Sequence, residues 1–128
     1  MDPKNRKVPE SPVKNKTFLQ SILCSLRGTA FAFKTEKNFK YYFAIAAFFL
    51  IINLWRHVSL TGHAIYLICC GGVFSAEMMN TALEHLSNFM TSELHETIKV
   101  AKDIGAAGVV MWGFVYFGVE AILLCQTF

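Results

Sequence analysis

The chain has 128 residues, 54% of them hydrophobic and 14% aromatic, with 12 Phe, and its mean hydropathy is +0.40. A soluble domain of this size needs a polar exterior that such a composition cannot supply, so the class is a single small polytopic membrane domain. The formal net charge of +3 is unevenly placed: nine of the 12 Lys and Arg precede Tyr41, and the rest are Arg56, Lys99 and Lys102. That clustering fits the cytoplasmic faces of a membrane protein, and no basic run is interleaved with a soluble fold as nucleic-acid binding would require.

Residues 1–16, MDPKNRKVPESPVKNK, are polar and basic and hold all three Pro. They read as a solvated tail and carry no signal-peptide pattern. From 17 to 34, Phe18, Leu19, Ile22, Leu23, Leu26, Ala30 and Phe33 recur at helical spacing, while Gln20, Ser21, Arg27 and Lys34 fall elsewhere. This predicts an amphipathic helix too polar to span, lying on the cytoplasmic interface. TEKNFK, residues 35–40, is a polar break.

Tyr41 to Trp55 carries no charge and has aromatic residues at both ends. With its flanks it predicts a first span over about 39–56. After a short turn, a second span is expected over about 62–86, since no charged residue lies between Arg56 and Glu77. Residues 87–98, SNFMTSELHETI, read as a polar loop. The third span, about 104–124, is broken only by Glu120, which is expected to snorkel or to find a partner near its far end. The expected fold is therefore an all-α integral membrane protein with one surface helix and three transmembrane helices. Placing the N-terminus inside and the C-terminus outside leaves Arg56 as the sole Lys or Arg on the external side.

The four cysteines, Cys24, Cys69, Cys70 and Cys125, form no CxxC pair and read as reduced, small apolar residues. His57, His63, His85 and His95 lack metal-ligand spacing, and no phosphate-binding P-loop occurs. The chemistry concentrates in AEMMNTALEHL, residues 76–86. On a helix Glu77, Asn80, Thr81, Glu84 and Asn88 share one face. Two carboxylates on one stripe near membrane depth repel each other, and a divalent cation such as Mg²⁺ would remove that penalty. The plain alternative is an exposed helix end, but such a face rarely lacks Lys altogether. In KVAKDIGAAG, residues 99–108, Lys102 and Asp103 stand at the mouth of the third span, and Ala101, Gly105 and Gly108 form a small-residue face. Lys102 suits either a positive-inside anchor or a phosphate contact.

EMMNTALEHLSN resembles the signature of the prokaryotic diacylglycerol kinase family, which includes the undecaprenol kinases of Gram-positive bacteria. SELHE and AKDIGAAGVV resemble its later segments, and RGTAFAFKTEKN its N-terminal helix and the following turn. The resemblance covers roughly residues 20–126 in order, and RG…KTE.N looks closer to the Gram-positive branch. It implies a homotrimeric bacterial cell-membrane kinase that moves the γ-phosphate of ATP to a lipid alcohol at the cytoplasmic interface. On the branch resemblance that alcohol is undecaprenol, with diacylglycerol the runner-up. By position, Glu77 would be the catalytic base. Glu36 and Glu84 would hold Mg²⁺ with the ATP phosphates. Asn80, Glu93, His95, Lys102 and Asp103 would line the nucleotide site. The family often has Asp where Asn88 stands here.

Two other classes compete. A small channel would run a cation path past Glu77 and Glu84, yet Ile65 to Ala76 offers almost no polar lining. A membrane adaptor explains the surface helix and the basic tail, but not Glu36, Glu77, Glu84 and Lys102 together.

Overall fold

The computed structural model describes residues 17–90 and 95–126. The N-terminal tail and Glu93 lie outside the described residues. Four helices follow in order: α1, Phe18–Thr35; α2, Lys37–Trp55; α3, Leu60–Met90; and α4, Glu96–Gln126. The last three are each long and apolar enough to cross a membrane.

Thr17 caps α1, its hydroxyl accepting from the Gln20 N–H at 3.3 Å. Ser25, Thr29 and Thr35 donate their hydroxyls to carbonyls one turn back, at 2.9 to 3.0 Å. The helix thus satisfies much of its own polar face. Phe18, Leu19 and Leu26 stay exposed, as suits a helix resting on an interface. Phe33 rings meet Phe39 and Phe43 of α2, which fastens α1 to the first turns of the span.

The corner between α1 and α2 is one residue wide. Glu36, at φ −96° and ψ 121°, ends α1 and begins α2. Its N–H closes on the Ala32 carbonyl at 2.9 Å, and its side chain makes no cap hydrogen bond. Ser, Thr, Asp or Asn would be the usual choice at a helix N-cap. A carboxylate not used for capping remains available for other work.

The turn between α2 and α3 is a Schellman motif. Val58 N–H reaches the Asn53 carbonyl at 3.0 Å and His57 N–H the Leu54 carbonyl at 3.2 Å. His57 takes the left-handed φ of 56° that this motif demands. Ser59 then caps α3, accepting from the Gly62 N–H at 3.1 Å.

α3 and α4 pack antiparallel along their lengths. A Cβ at Gly62 would strike Val58 and approach Leu123 at 3.0 Å; one at Gly72 would enter the Trp112 ring; one at Gly105 would sit 2.9 Å from Asn80 Oδ1. Absent side chains at these three contacts bring the two backbones together. Gly71 and Gly108 instead face open space, so the expected packing face is realised at Gly105 but not at Gly108. α2 runs antiparallel to α3, with Tyr66 donating its hydroxyl to the Ala46 carbonyl at 2.6 Å. The core comprises Val58, Tyr66, Cys69, Val73, Tyr116 and Leu123. None of the four cysteines forms a disulfide among the described residues.

One expectation needs revision. The loop read over 87–98 is shorter, because α3 continues through Met90 and α4 begins at Glu96. Ser87 is buried, which keeps the end of α3 packed, and Glu96 favours the positive end of α4. Of the two fates expected for Glu120, the structure realises the partner. It is 2% exposed and paired with Asn53, itself fully buried, whose amide donates to both carboxylate oxygens at 3.3 and 3.2 Å.

Candidate active site

At 31 residues, α3 is about 46 Å long, against a hydrocarbon thickness of about 30 Å. One end must leave the apolar layer, and the acidic stripe lies toward the end that α1 adjoins. Glu77 is 2% exposed and Thr81, one turn on, is 6% exposed. Glu84 is half-buried and Asn88 exposed. The predicted stripe therefore descends from an exposed end into the bundle, and Glu77 is its deepest member.

Three carboxylates gather here. Glu36 and Glu84 both lie within electrostatic reach of Glu77, and the Asn38 amide lies close enough to act on its carboxylate. Phe39, 2% exposed, packs its ring against Phe74 at 5.8 Å. That contact seats the first turn of α2 one helical turn before Glu77 on α3. The corner at Glu36 is held from the other side by His85, whose Nε2 lies 3.7 Å from Glu36 Oε1. His85 also stacks on Phe31 of α1 at 5.4 Å. α1, α2 and α3 thus converge on one acidic cluster.

The nucleotide-site candidates disperse. Asn80 faces α4 at Gly105, and its buried Oδ1 meets no donor among the described residues. Lys102 of α4 turns to α3, its Nζ donating to Asn88 Oδ1 at 3.4 Å. His95 is exposed just before α4, its carbonyl accepting from Lys99 N–H at 3.0 Å. Asp103 is also exposed. Two residues before Gly105 on a helix, it points to the side of α4 away from α3. Within one chain, Glu36, Glu77 and Glu84 come together, Asn80 and Lys102 lie where α3 meets α4, and His95 and Asp103 stand apart.

Two residues escaped sequence reasoning. Asn38 closes the KTE.N pattern of the resemblance, but nothing in the sequence gives that amide a role at Glu77. His85 was considered only as a metal ligand, and its contact with Glu36 depends on the corner folding back on α3.

Among the described residues, no three His, Cys, Asp or Glu side chains converge tightly enough to hold an ion unaided. Mg²⁺ seldom needs that, since it takes one or two carboxylates and fills its shell with water and phosphate oxygens. Glu36 and Glu84, mutually repelling with Glu77, fit that partial donor set.

An acidic cluster where a surface helix meets a membrane bundle suits an enzyme that joins an aqueous reactant to a lipid headgroup. The sequence profile described as Prokaryotic diacylglycerol kinase matches residues 23–124. The chain belongs to that family and is a lipid kinase embedded in a membrane. It is also similar to the Undecaprenol kinase of Bacillus subtilis (strain 168). The two are 33% identical over 98 residues, covering 77% of this chain and 80% of the relative.

Proposed function

We propose that this kinase transfers the γ-phosphate of ATP to undecaprenol, giving undecaprenyl phosphate. The single observation that carries the acceptor is the similarity to the Bacillus subtilis Undecaprenol kinase over most of both chains. Glu77 is the catalytic base: it is the deepest carboxylate of the cluster and has the Asn38 amide close to it. Glu36 and Glu84 would hold Mg²⁺, which would supply charge neutralisation on the transferred group. Asn80, Lys102 and Asp103 serve the nucleotide, joined by Glu93 and His95 from the α3–α4 connection.

The chemistry follows from these roles. Glu77 takes the proton of the lipid hydroxyl as its oxygen attacks the γ-phosphorus. A new phosphorus–oxygen bond forms, the bond to ADP breaks, and the proton resides on Glu77. Lys102 stabilises the developing phosphate charge as a point cation. The acceptor's chain lies in an apolar cavity of about 130 Å³ between α2 and α4 that Tyr42 lines. Tyr42 is within electrostatic reach of Glu77.

The enzyme is a homotrimer in the bacterial cell membrane, with its active site and N-terminus cytoplasmic and its C-terminus outside. The Lys and Arg distribution supports this orientation. The open groove on α3 and α4, lined by Gly72, Met79, Asn80, Gly105, Gly108 and Trp112, supports subunit packing at a small-residue face.

The test is phosphate transfer from Mg·ATP by purified protein in detergent micelles, with undecaprenol and diacylglycerol offered in parallel. Undecaprenol is expected to turn over faster. Glu77→Gln is expected to lower kcat by about 10²–10⁴-fold with ATP binding retained. Faster turnover of diacylglycerol would overturn the acceptor, and transfer to neither would overturn the kinase role.

A further inference from the structure

We infer that Tyr116 and Phe117 of α4, backed by Phe49 of α2, form a chain-length stop: they fix how much of the lipid acceptor, next to the reacting hydroxyl, the enzyme reads. This rests on the lipid-kinase reading above and adds a specificity determinant to it.

The cavity between α2 and α4 has a near end and a far end. At the near end, the wall includes Val73 and Phe74, the turn of α3 that precedes Glu77, and Tyr42, which is within electrostatic reach of Glu77. Ile45, Ala46, Val110 and Gly113 form its sides. At the far end Tyr116 and Phe117 form the wall, and the Phe49 ring backs them from outside the lining, at 5.8 Å and 6.1 Å, both edge-on. Edge-to-face aromatic contacts of this kind are favourable beyond their buried area.

The stop is braced from behind. α2 and α4 run parallel, and their contacts keep nearly constant register. One turn past Phe49 and Tyr116, Asn53 donates to Glu120. One turn further, Arg56 Nη2 donates to the Leu124 carbonyl at 2.9 Å. These polar contacts hold the two helices together where the cavity ends. Tyr66 of α3 adds a third side, its ring 6.1 Å from that of Tyr116.

From Tyr42 to Phe49 is seven residues of helix, a rise of about 10 Å. A chain whose hydroxyl sits at Glu77 therefore meets the aromatic wall after about that distance. Its remainder must turn out between α2 and α4 into the bilayer, past Phe117, which is 51% exposed. The enzyme then discriminates by the shape of the segment beside the hydroxyl and is indifferent to total length beyond the stop.

The experiment measures kcat/KM with Mg·ATP for primary alcohols of increasing chain length, linear and polyprenyl, at fixed surface concentration in micelles. For the wild type, kcat/KM is expected to climb with length and then level off. In Phe49→Ala the levelling moves to longer chains, changing the preference between a chain that just fills the cavity and a longer one by about tenfold. Gly113→Leu probes the same cavity in the opposite sense. A Cβ at Gly113 meets nothing within 4 Å, so the added side chain occupies the cavity and the levelling moves to shorter chains. If both variants fold and turn over with the wild-type length profile, the stop is overturned. If Phe49→Ala does not fold, Gly113→Leu decides alone. Transfer by the wild type to no alcohol would overturn the kinase reading and the stop with it.

Discussion

Asn53 and Glu120 meet wholly inside the bundle, 67 residues apart in sequence, with the Asn53 amide nitrogen 3.3 and 3.2 Å from the two Glu120 carboxylate oxygens. Neither side chain is more than 2% exposed. Each therefore depends on the other for hydrogen bonding that solvent cannot provide. Asn53→Leu strands the carboxylate and Glu120→Leu strands the amide, and each is expected to cost about 1–3 kcal/mol. The double substitution removes both polar groups and is expected to cost less than the sum of the two. Thermal unfolding of the four proteins in detergent checks this, and strict additivity would deny the pairing.

Asn38 is expected to matter for turnover out of proportion to its exposed position. Asn38→Ala leaves Glu77 without the amide that acts on its carboxylate. The expected loss is about 1–1.5 kcal/mol of transition-state stabilisation, about tenfold in kcat, with the KM for ATP little changed. Steady-state kinetics separate the two constants, and a rise in the ATP KM alone would assign Asn38 to nucleotide binding instead.

Adjacent glycines in α3 should respond oppositely to the same added methyl group. At Gly72 a Cβ collides with the Trp112 ring, whereas at Gly71 it meets nothing. Gly72→Ala is expected to lose about 1–3 kcal/mol through overpacking. Gly71→Ala is expected to gain up to about 1 kcal/mol from helix propensity. Parallel melting curves test the pair, and equal responses would contradict the α3–α4 contact.

His57 holds a conformation that favours glycine, with φ at 56°. His57→Gly keeps the hydrogen bonds of the Schellman turn and relieves the Cβ crowding. A stabilisation of about 1 kcal/mol is expected, read as a higher melting temperature with unchanged turnover.

Much of the architecture was legible because hydrophobic runs long enough to span, and the charges that bound them, are strong signals in one dimension. Glu77 and Glu84 were legible for a related reason: carboxylates seven residues apart share a helix face whatever the tertiary structure. What stayed hidden depended on contacts between helices. Asn53 is one amide in an apolar run, and only the parallel register of α2 and α4 brings it to Glu120. His85 reaches Glu36 only because the chain turns a corner in a single residue. The ends of α3 and α4 were misjudged because polar residues in SNFM and ETIK continue a helix as readily as they leave one.

That one-residue corner has a mechanical meaning. Glu36 is joined on one side to α1, whose exposed apolar residues suit a membrane surface, and on the other to α2, long and apolar enough to span, while its carboxylate lies within electrostatic reach of Glu77. With α1 resting on the membrane surface, the height of the water–lipid boundary would reach the acidic cluster through a single peptide unit, like a float on a lever. A thicker or more tightly curved bilayer would then raise or tilt α1 and carry Glu36 with it. The lipid environment would become a setting of the cluster's geometry, and vesicles of graded acyl length would tune the rate at constant acceptor concentration.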